Sequence, residues 1–128
     1  MRRKDLIQVR GIGFRVHQER FEIVLASPTD EVIGAFALID YRGERTVVRA
    51  LRDDESAFGR RTYRMISFIG DLDLDLVGFM ALVSEAMADL GIPIFVISSY
   101  RTDHVLVLDK DAEKGVEALE SLGMVQRA

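Results

Sequence analysis

The side chains best suited to chemistry are concentrated in residues 98–103, between two apolar segments. They are three hydroxyls and one carboxylate: Ser98, Ser99, Thr102 and Asp103. A carboxylate can hold the ammonium group of a small ligand through charge-assisted hydrogen bonds, and hydroxyls can add neutral ones. Asp103 could instead bond the backbone of its own turn. We place the candidate site at this polar corner and leave both roles of Asp103 open.

A second polar stretch, residues 70–75, precedes an apolar helical pattern. Its aspartates alternate at Asp71, Asp73 and Asp75, as the first ligands of an EF-hand do. Leucines stand where that motif needs its glycine and its bidentate glutamate, so this type of calcium site is excluded. The aspartates then either cap the helix and face solvent or contact a ligand that carries an amino group.

Other combinations of reactive residues lack the partners that catalysis needs. His17 and His104 have no nearby histidine, and the chain has no cysteine, so we expect no metal site. Ser98, Asp103 and His104 are the residue types of a hydrolase triad, but a GxSxG nucleophile elbow is missing. Without an activated nucleophile, a metal cluster or a phosphate loop, we predict a protein that is not an enzyme and has no cofactor.

Composition also argues against nucleic acid and membrane partners. Residues 10–16, RGIGFRV, approach an RNA-binding signature, but Ile12 replaces a stacking aromatic. The arginines between residues 42 and 64 alternate with acids, which favours a salt-bridged sheet face or an interface with the acidic second half. No apolar run approaches a membrane span and no signal peptide is indicated, so we expect a cytoplasmic location.

Hydrophobic periodicity predicts the elements that must position the corner. Strands are expected at 5–16, 20–26, 35–41, 45–52, 63–69, 94–97, 105–108 and 124–126. Helices are expected after the cap residue Ser27, over 76–90, and over 112–122 after Asp109 or Asp111. From residue 63 the order is the ferredoxin-like βαββαβ arrangement, and the first half repeats it loosely. The polar loop 53–61 is the expected boundary between the halves.

The segment 94–123, IFVISSYRTDHVLVLDKDAEKGVEALESLG, resembles the ACT-domain proteins of the small bacterial CASTOR-like (ACT_7-type) group. Their pattern is a strand ending in Ile-Ser-Thr-aromatic, then x-Thr-Asp, an aromatic residue and a return strand. Residues 63–123 follow it well, and residues 15–52 only in element order. Three departures are Ser99 for threonine, His104 for an aromatic, and Asp75 with Val77 for serine and threonine.

The resemblance implies an α+β, ferredoxin-like ACT domain over 61–128 and a degenerate ACT-like half over 1–60. It implies a non-enzymatic regulatory homodimer or larger homo-oligomer that binds a small ligand, an amino acid, between ACT units. The implied ligand-binding residues are Asp71, Asp73, Asp75, Val77, Gly78, Ile97, Ser98, Ser99, Thr102 and Asp103. Because hydroxyls are missing from the 70–78 loop, an oligomerisation or protein-interaction module without a ligand is the alternative.

Overall fold

The computed structural model describes residues 9–29, 32–69 and 77–128. The strands are β1 Gly13–Ala26, β2 Ala37–Tyr41, β3 Glu44–Ala50, β4 Tyr63–Ile69, β5 Phe95–Ser98, β6 Asp103–Leu108 and β7 Val125–Gln126. The helices are α1 Phe79–Asp89 and α2 Ala112–Ser121, and a 3-10 turn, Asp109–Asp111, leads into α2. All strands belong to one sheet in the order β2-β3-β1-β4-β6-β5, with β7 beside β1.

The predicted α+β fold is confirmed, and β4-α1-β5-β6-α2-β7 is the ferredoxin-like order of elements. The last strand nevertheless pairs with β1 and not with β4. Gly13 and Phe14 of β1 lie opposite Val125 and Gln126 in parallel register. The start of β1 therefore lies between β7 and β4 and belongs to the sheet of the second half.

One long strand takes the place of the two predicted strands within the described residues, because residues 13–16 and 20–26 both belong to it. The first part of the strand predicted for 5–16, residues 5–8, lies outside the described residues. β1 runs for 14 residues, and its pairing with β4 shifts register between Val16 and Arg20. A bulge of this kind adds residues to one strand without ending its pairing with the neighbour. In the sequence it appears only as a break in the hydrophobic alternation, which looks the same as the end of one strand and the start of another. Beyond the shift, Phe21 to Ala26 pair with β3, so β1 joins both halves of the chain.

The prediction of a short helix after Ser27 is wrong for residues 27–29 and 32–36, which the structure describes. Positions 30 and 31 lie outside the described residues. Residues 27–29 and 32–36 form turns and bends. Thr29 N donates to Ser27 Oγ at 3.3 Å, so the serine closes a local turn and caps no helix. Gly34 follows with φ 82°, a conformation that a helix does not contain.

The two faces of the sheet carry separate cores. On one face α1 and α2 cover a core that includes Phe14, Ile66 and Val105, all fully buried. The opposite face carries a smaller core formed by Phe21, Val48, Met65 and Leu106. The candidate site is at the end of the sheet where β5 and β6 meet, and its residues are divided between these two faces.

Candidate functional site

The predicted strand, polar corner and return strand are present. Ser98 and Asp103 are the last paired residues of β5 and β6. Between them the amide of Ser99 donates to the carbonyl of Thr102 at 2.9 Å and closes the turn. Ser98 Oγ donates to Asp103 Oδ1 at 2.5 Å across the strands. The only carboxylate of the corner is therefore already held by a neighbouring hydroxyl.

Thr102 connects the corner to the start of α1. Its Oγ1 donates to the carbonyl oxygen of Phe68 at 3.0 Å, near the end of β4. The ring of Phe68 packs edge-on against Phe79, the first residue of α1, with centroids 4.9 Å apart. The polar corner and the helix N-terminus are thus linked by one hydrogen bond and one ring contact.

The N-terminus of α1 suits an anionic group. Gly78 occupies the N-cap position with φ 93°, and no side chain caps the helix. The first turn contains no acidic residue. Helix N-termini leave backbone N–H groups without intrahelical partners and carry the positive end of the helix dipole, which together favour a carboxylate. Val77 precedes Gly78 and is 67% exposed.

The remaining predicted residues are not all brought to the same place. Asp71, Asp73 and Asp75 lie outside the described residues. Ile97 packs against the smaller core, so it faces away from the helices. Because side chains alternate along a strand, Ser98 points to the helix side, as does its partner Asp103. The described part of the corner that could meet a ligand near α1 therefore consists of Ser98, Thr102 and Asp103.

A chain of hydrogen bonds crosses three adjacent strands, β1, β4 and β6, on the face of the smaller core and ends in the turn after β5. His17 Nε2 lies 2.8 Å from Ser67 Oγ, and Ser67 Oγ lies 2.7 Å from His104 Nδ1. His104 Nε2 lies 2.8 Å from Ser99 Oγ, which donates to the carbonyl of Thr102 at 3.1 Å. The network extends from the bulge in β1 to the turn of the polar corner.

Proton counting gives one direction for this network when His104 is neutral. Ser99 has one hydroxyl proton and gives it to Thr102 O, so His104 Nε2 must be the donor to Ser99. In a neutral imidazole the other nitrogen is then an acceptor, and Ser67 donates to His104 Nδ1. His17 Nε2 in turn donates to Ser67. All four bonds are thus satisfied with His104 neutral; a protonated His104 would instead donate from Nδ1 to Ser67, which would then donate to His17 Nε2.

The surroundings of both histidines favour that neutral state. Burial lowers the pKa of His104, and the nearby His17 lowers it further, while Asp103 opposes the shift. Burial also lowers the pKa of His17, with Glu19 acting in the opposite direction and Arg15 in the same one. The ring of Phe36 packs edge-on against His104 at 5.0 Å and covers it.

Sequence reasoning missed this network because it treated His17 and His104 as isolated residues. They are 87 positions apart, and β4 lies between their strands. The available signal was Ser67, a small polar residue between the apolar Ile66 and Phe68 in a buried strand. Its meaning depends on the pairing of β1 with β4, which the sequence patterns do not predict.

Most ion pairs of the arginine-rich region join residues of the first half and its loop, and one joins Arg64 to Asp109 of the second half at 4.0 Å. Arg49 makes two hydrogen bonds to Glu55, at 2.7 and 2.8 Å, and also pairs with Glu22 at 2.6 Å. Arg60 lies 3.1 Å from Glu22. The Arg49 guanidinium holds the pKa of Glu55 well below its usual range, and the amide of Arg52 contributes to the shift. These contacts favour the salt-bridged sheet face over an interface with the acidic half.

Metal and membrane chemistry find no support in the described part of the chain. Residues 9–29, 32–69 and 77–128 contain no group of three or more histidine, cysteine, aspartate or glutamate side chains arranged to hold a metal ion. No helix in these residues is long and apolar enough to span a bilayer.

Comparison with known proteins supports the fold and the second half of the chain. Structures with the same fold include a protein from Agobacterium tumefaciens, 22% identical with a TM-score of 0.72, covering 91% of this chain and 92% of that one. A Vibrio cholerae protein described as of unknown function and a possible transport protein is 18% identical, with a TM-score of 0.73 and coverages of 98% and 96%. A structure of aspartokinase alpha and beta subunits is 18% identical, with a TM-score of 0.62 and coverages of 89% and 97%.

At these identities the three structures establish the fold alone. No match was found among curated proteins. The ACT domain family model matches residues 59–121, a range that begins before β4 and ends with α2. This range contains the polar corner and the start of α1, and the part of the chain before residue 59 lies outside the match. The finer resemblance to the CASTOR-like group has no further support. The second half of the chain, with its polar corner, thus matches the ACT domain.

Proposed function

We propose that this protein is a non-enzymatic ACT-like regulatory protein that binds a small ligand, an amino acid, between ACT units. The observation that carries the proposal is the juxtaposition of the Ser98–Asp103 pair with the N-terminus of α1, through Thr102 and Phe68. An amino acid presents one carboxylate and one ammonium, and this region offers a complement to each. Regulation would follow from different affinities of the ligand for two arrangements of the units.

The proposed ligand carboxylate binds at Gly78 and the first turn of α1, where the helix has no side-chain cap. The ammonium binds Asp103, with Ser98 and Thr102 as neutral partners, and Asp71, Asp73 and Asp75 are candidates for a second acidic contact. To accept the ligand, Asp103 must share or exchange its hydrogen bond from Ser98. That exchange is feasible because Ser98 is exposed at the end of an edge strand.

The proposed second unit lies against the β5 edge of the sheet. Among the described residues β5 pairs only with β6, so its other side is open to another chain. A homo-oligomer would place a second unit beside the corner of the first. Within each chain we propose an ACT domain over 61–128 and a degenerate ACT-like half over 1–60, a division that agrees with the family match over residues 59–121.

Thermal melting with each of the twenty amino acids tests the proposal. A ligand at 100 times its dissociation constant adds about 2.7 kcal/mol to the free energy of unfolding, so at least one amino acid is expected to raise Tm clearly. Asp103→Asn should abolish that rise, because it removes the charge that pairs with the ammonium. The control Asp53→Asn removes an exposed carboxylate in the 51–60 loop and should leave the rise unchanged.

Two results would count against the site or the ligand. If no amino acid raises Tm, the amino-acid form of the proposal fails. If the rise persists in Asp103→Asn, the ligand binds elsewhere in the molecule.

The alternative function, an interaction module without a ligand, is favoured by one specific observation. Each hydroxyl of the corner already has a partner within the chain: Asp103 for Ser98, His104 and Thr102 O for Ser99, and Phe68 O for Thr102. Sedimentation velocity over a range of protein concentrations separates the two functions. Self-association that no amino acid alters, together with unchanged melting, would support the module.

A further inference from the structure

A groove of about 370 Å³ runs between the outer sides of α1 and α2. Its apolar lining comes from both helices, with Leu82, Ala86 and Leu90 on the α1 side and Ala118 and Leu122 on the α2 side. Leu90 is 45% exposed, which leaves substantial apolar surface open along the groove. Covering apolar surface between two helices with another segment lowers the free energy of the protein in water.

The rim of the groove is acidic. Glu85 and Asp89 line it from α1, and Glu117 lines it from α2. None of the nine residues that line it is basic. An apolar floor with carboxylates along both sides is complementary to a short segment that carries both aliphatic and basic side chains.

The chain itself approaches the groove from one end. Val9 is buried in the same core as Leu119 of α2. The amide of Gly11 donates to the carbonyl of Gly123 at 2.8 Å, which holds this part of the chain against the end of α2. Arg10 lines a neighbouring hollow together with Ser121 and Leu122, and these last two residues also line the groove. Val9 and Arg10 thus lie near one end of the groove.

Residues 1–8, MRRKDLIQ, have the composition that the groove requires. They contain three basic residues, Arg2, Arg3 and Lys4, and two adjacent aliphatic residues, Leu6 and Ile7. Eight extended residues reach at most about 26 Å, whereas the stretch of α1 from Leu82 to Leu90 is about 12 Å long. The segment is therefore long enough to lie along the whole groove.

We propose that residues 1–8 bind intramolecularly in the groove between α1 and α2, with Leu6 and Ile7 on its apolar floor and the basic residues against Glu85, Asp89 and Glu117. The basic residues of this segment would then neutralise part of the acidic rim of the groove.

Cysteine cross-linking tests the location of the segment directly, because the chain has no cysteine of its own. The full chain with Leu6→Cys and Leu90→Cys, treated with a short bis-maleimide at low protein concentration, should give an internally cross-linked monomer in high yield. The control pairs Leu6→Cys with Phe58→Cys, whose side chain is 95% exposed in the 51–60 loop, and should cross-link several-fold less. Cross-linking mainly to dimers would assign the groove to a second copy and overturn the proposal, as would equal yields in the two variants.

A charge-reversal cycle provides an independent readout. Replacing Arg2, Arg3 and Lys4 by glutamate should lower Tm, and replacing Asp89 and Glu117 by lysine should also lower it. Combining both sets should restore most of the loss, because the opposite charges then face each other again. The matched control replaces Lys110 and Lys114, which lie in the same helical region but outside the groove lining, by glutamate. Combining these two changes with the lysine substitutions at Asp89 and Glu117 should not restore Tm. Additive losses in the combined variant would contradict the contact.

Discussion

Ser67 is the central residue of the hydrogen-bond network, because it accepts from His17 and donates to His104. Ser67→Ala removes both bonds and leaves His17 Nε2–H and His104 Nδ1 without their partner in a partly buried environment. Buried polar groups without partners cost about 1–3 kcal/mol, so we expect the free energy of unfolding to fall by that amount. Urea denaturation measures the change.

The control for Ser67→Ala is Ser99→Ala, which removes the last hydroxyl of the same network. Ser99 is exposed, so water can replace it beside His104 and the expected loss is smaller. Equal losses in the two variants would contradict the larger contribution to stability that we assign to Ser67.

The histidines predict a specific pH dependence of stability. Both folded-state pKa values lie below 6.5, the value for an unperturbed histidine. Below pH 6.5 the unfolded chain therefore binds more protons than the native protein, and the free energy of unfolding falls as the pH decreases. Above pH 6.5 this contribution is complete. We expect Tm to be flat near pH 7.5 and to decrease between pH 6.5 and 5.

The double variant His17→Gln with His104→Gln should have a shallower decrease in Tm over that interval, whatever its stability at pH 7.5. Arg49 lowers the pKa of Glu55, so that carboxylate loses its contribution only at more acidic pH, as it becomes protonated. The histidines and Glu55 therefore affect stability in different pH ranges, the histidines between pH 6.5 and 5 and Glu55 at more acidic pH. An unchanged slope between pH 6.5 and 5 in the double variant would exclude the histidines as its source.

At the scale of single elements, α2 and the turn that follows it each contain a glycine, and the two glycines have opposite requirements. Gly115 is inside the helix, and an added Cβ would lie 3.7 Å from both Ile66 Cδ1 and Met87 Cε, which is ordinary contact. Glycine costs a helix interior about 0.8–1 kcal/mol relative to alanine, so Gly115→Ala should raise the free energy of unfolding by up to that amount. Thermal or urea denaturation provides the measurement.

Gly123 is the contrasting position, one residue beyond the helix cap. Its φ is +88°, and an added Cβ would lie 3.0 Å from Arg10 Cγ. Gly123→Ala should therefore destabilise the protein by about 1 kcal/mol or more, because alanine is strained at this φ. If the two glycine variants shift stability in the same direction, the packing of α2 against α1 and β4 differs from that described.

Elements with strong local patterns were predictable from the sequence. β4 was predicted over 63–69, its full observed length, and the helix predicted over 112–122 is present as α2 over 112–121. The buried residues of α2 were less predictable. Helical periodicity predicts a buried stripe of Ala112, Val116, Leu119 and Leu122, but Val116 and Leu122 are only half-buried, and Gly115 and Ala118 are buried as well. Small residues let α2 approach the sheet closely. A prediction from hydrophobic periodicity does not identify such residues as buried, because glycine and alanine are only weakly hydrophobic.

The polar corner was predictable for a similar reason, since its residues are adjacent in sequence and lie between two strands. What could not be predicted depends on distant pairing. Asp109 or Asp111 is the cap of α2 that the sequence predicts, and Asp111 takes the N-cap position, without a side-chain bond. Asp109 instead accepts a hydrogen bond from Arg20 at 2.8 Å, across to β1. That contact depends on the position of β1 in the sheet, which no local pattern encodes.

At the scale of the whole molecule, β1 pairs with strands of both halves. Its first residues pair with β4 and β7, and its last residues pair with β3. Phe14, which belongs to the first half of the sequence, is fully buried in the core beneath α1 and α2. The second half therefore depends for its core on a strand that lies outside the 59–121 family match.

Phe14→Ala tests this dependence. Truncating a buried phenylalanine costs about 3–5 kcal/mol, so we expect a large loss of stability with a single unfolding transition for the whole chain. Hydrogen exchange should show the loss both in α2, which belongs to the same core as Phe14, and in β3, whose buried Val48 belongs to the smaller core on the opposite face. Phe58→Ala is the control, because its ring is 95% exposed and its removal should change little. Faster exchange confined to α2, with β3 unaffected, would mean that the halves unfold separately and that β1 does not couple them.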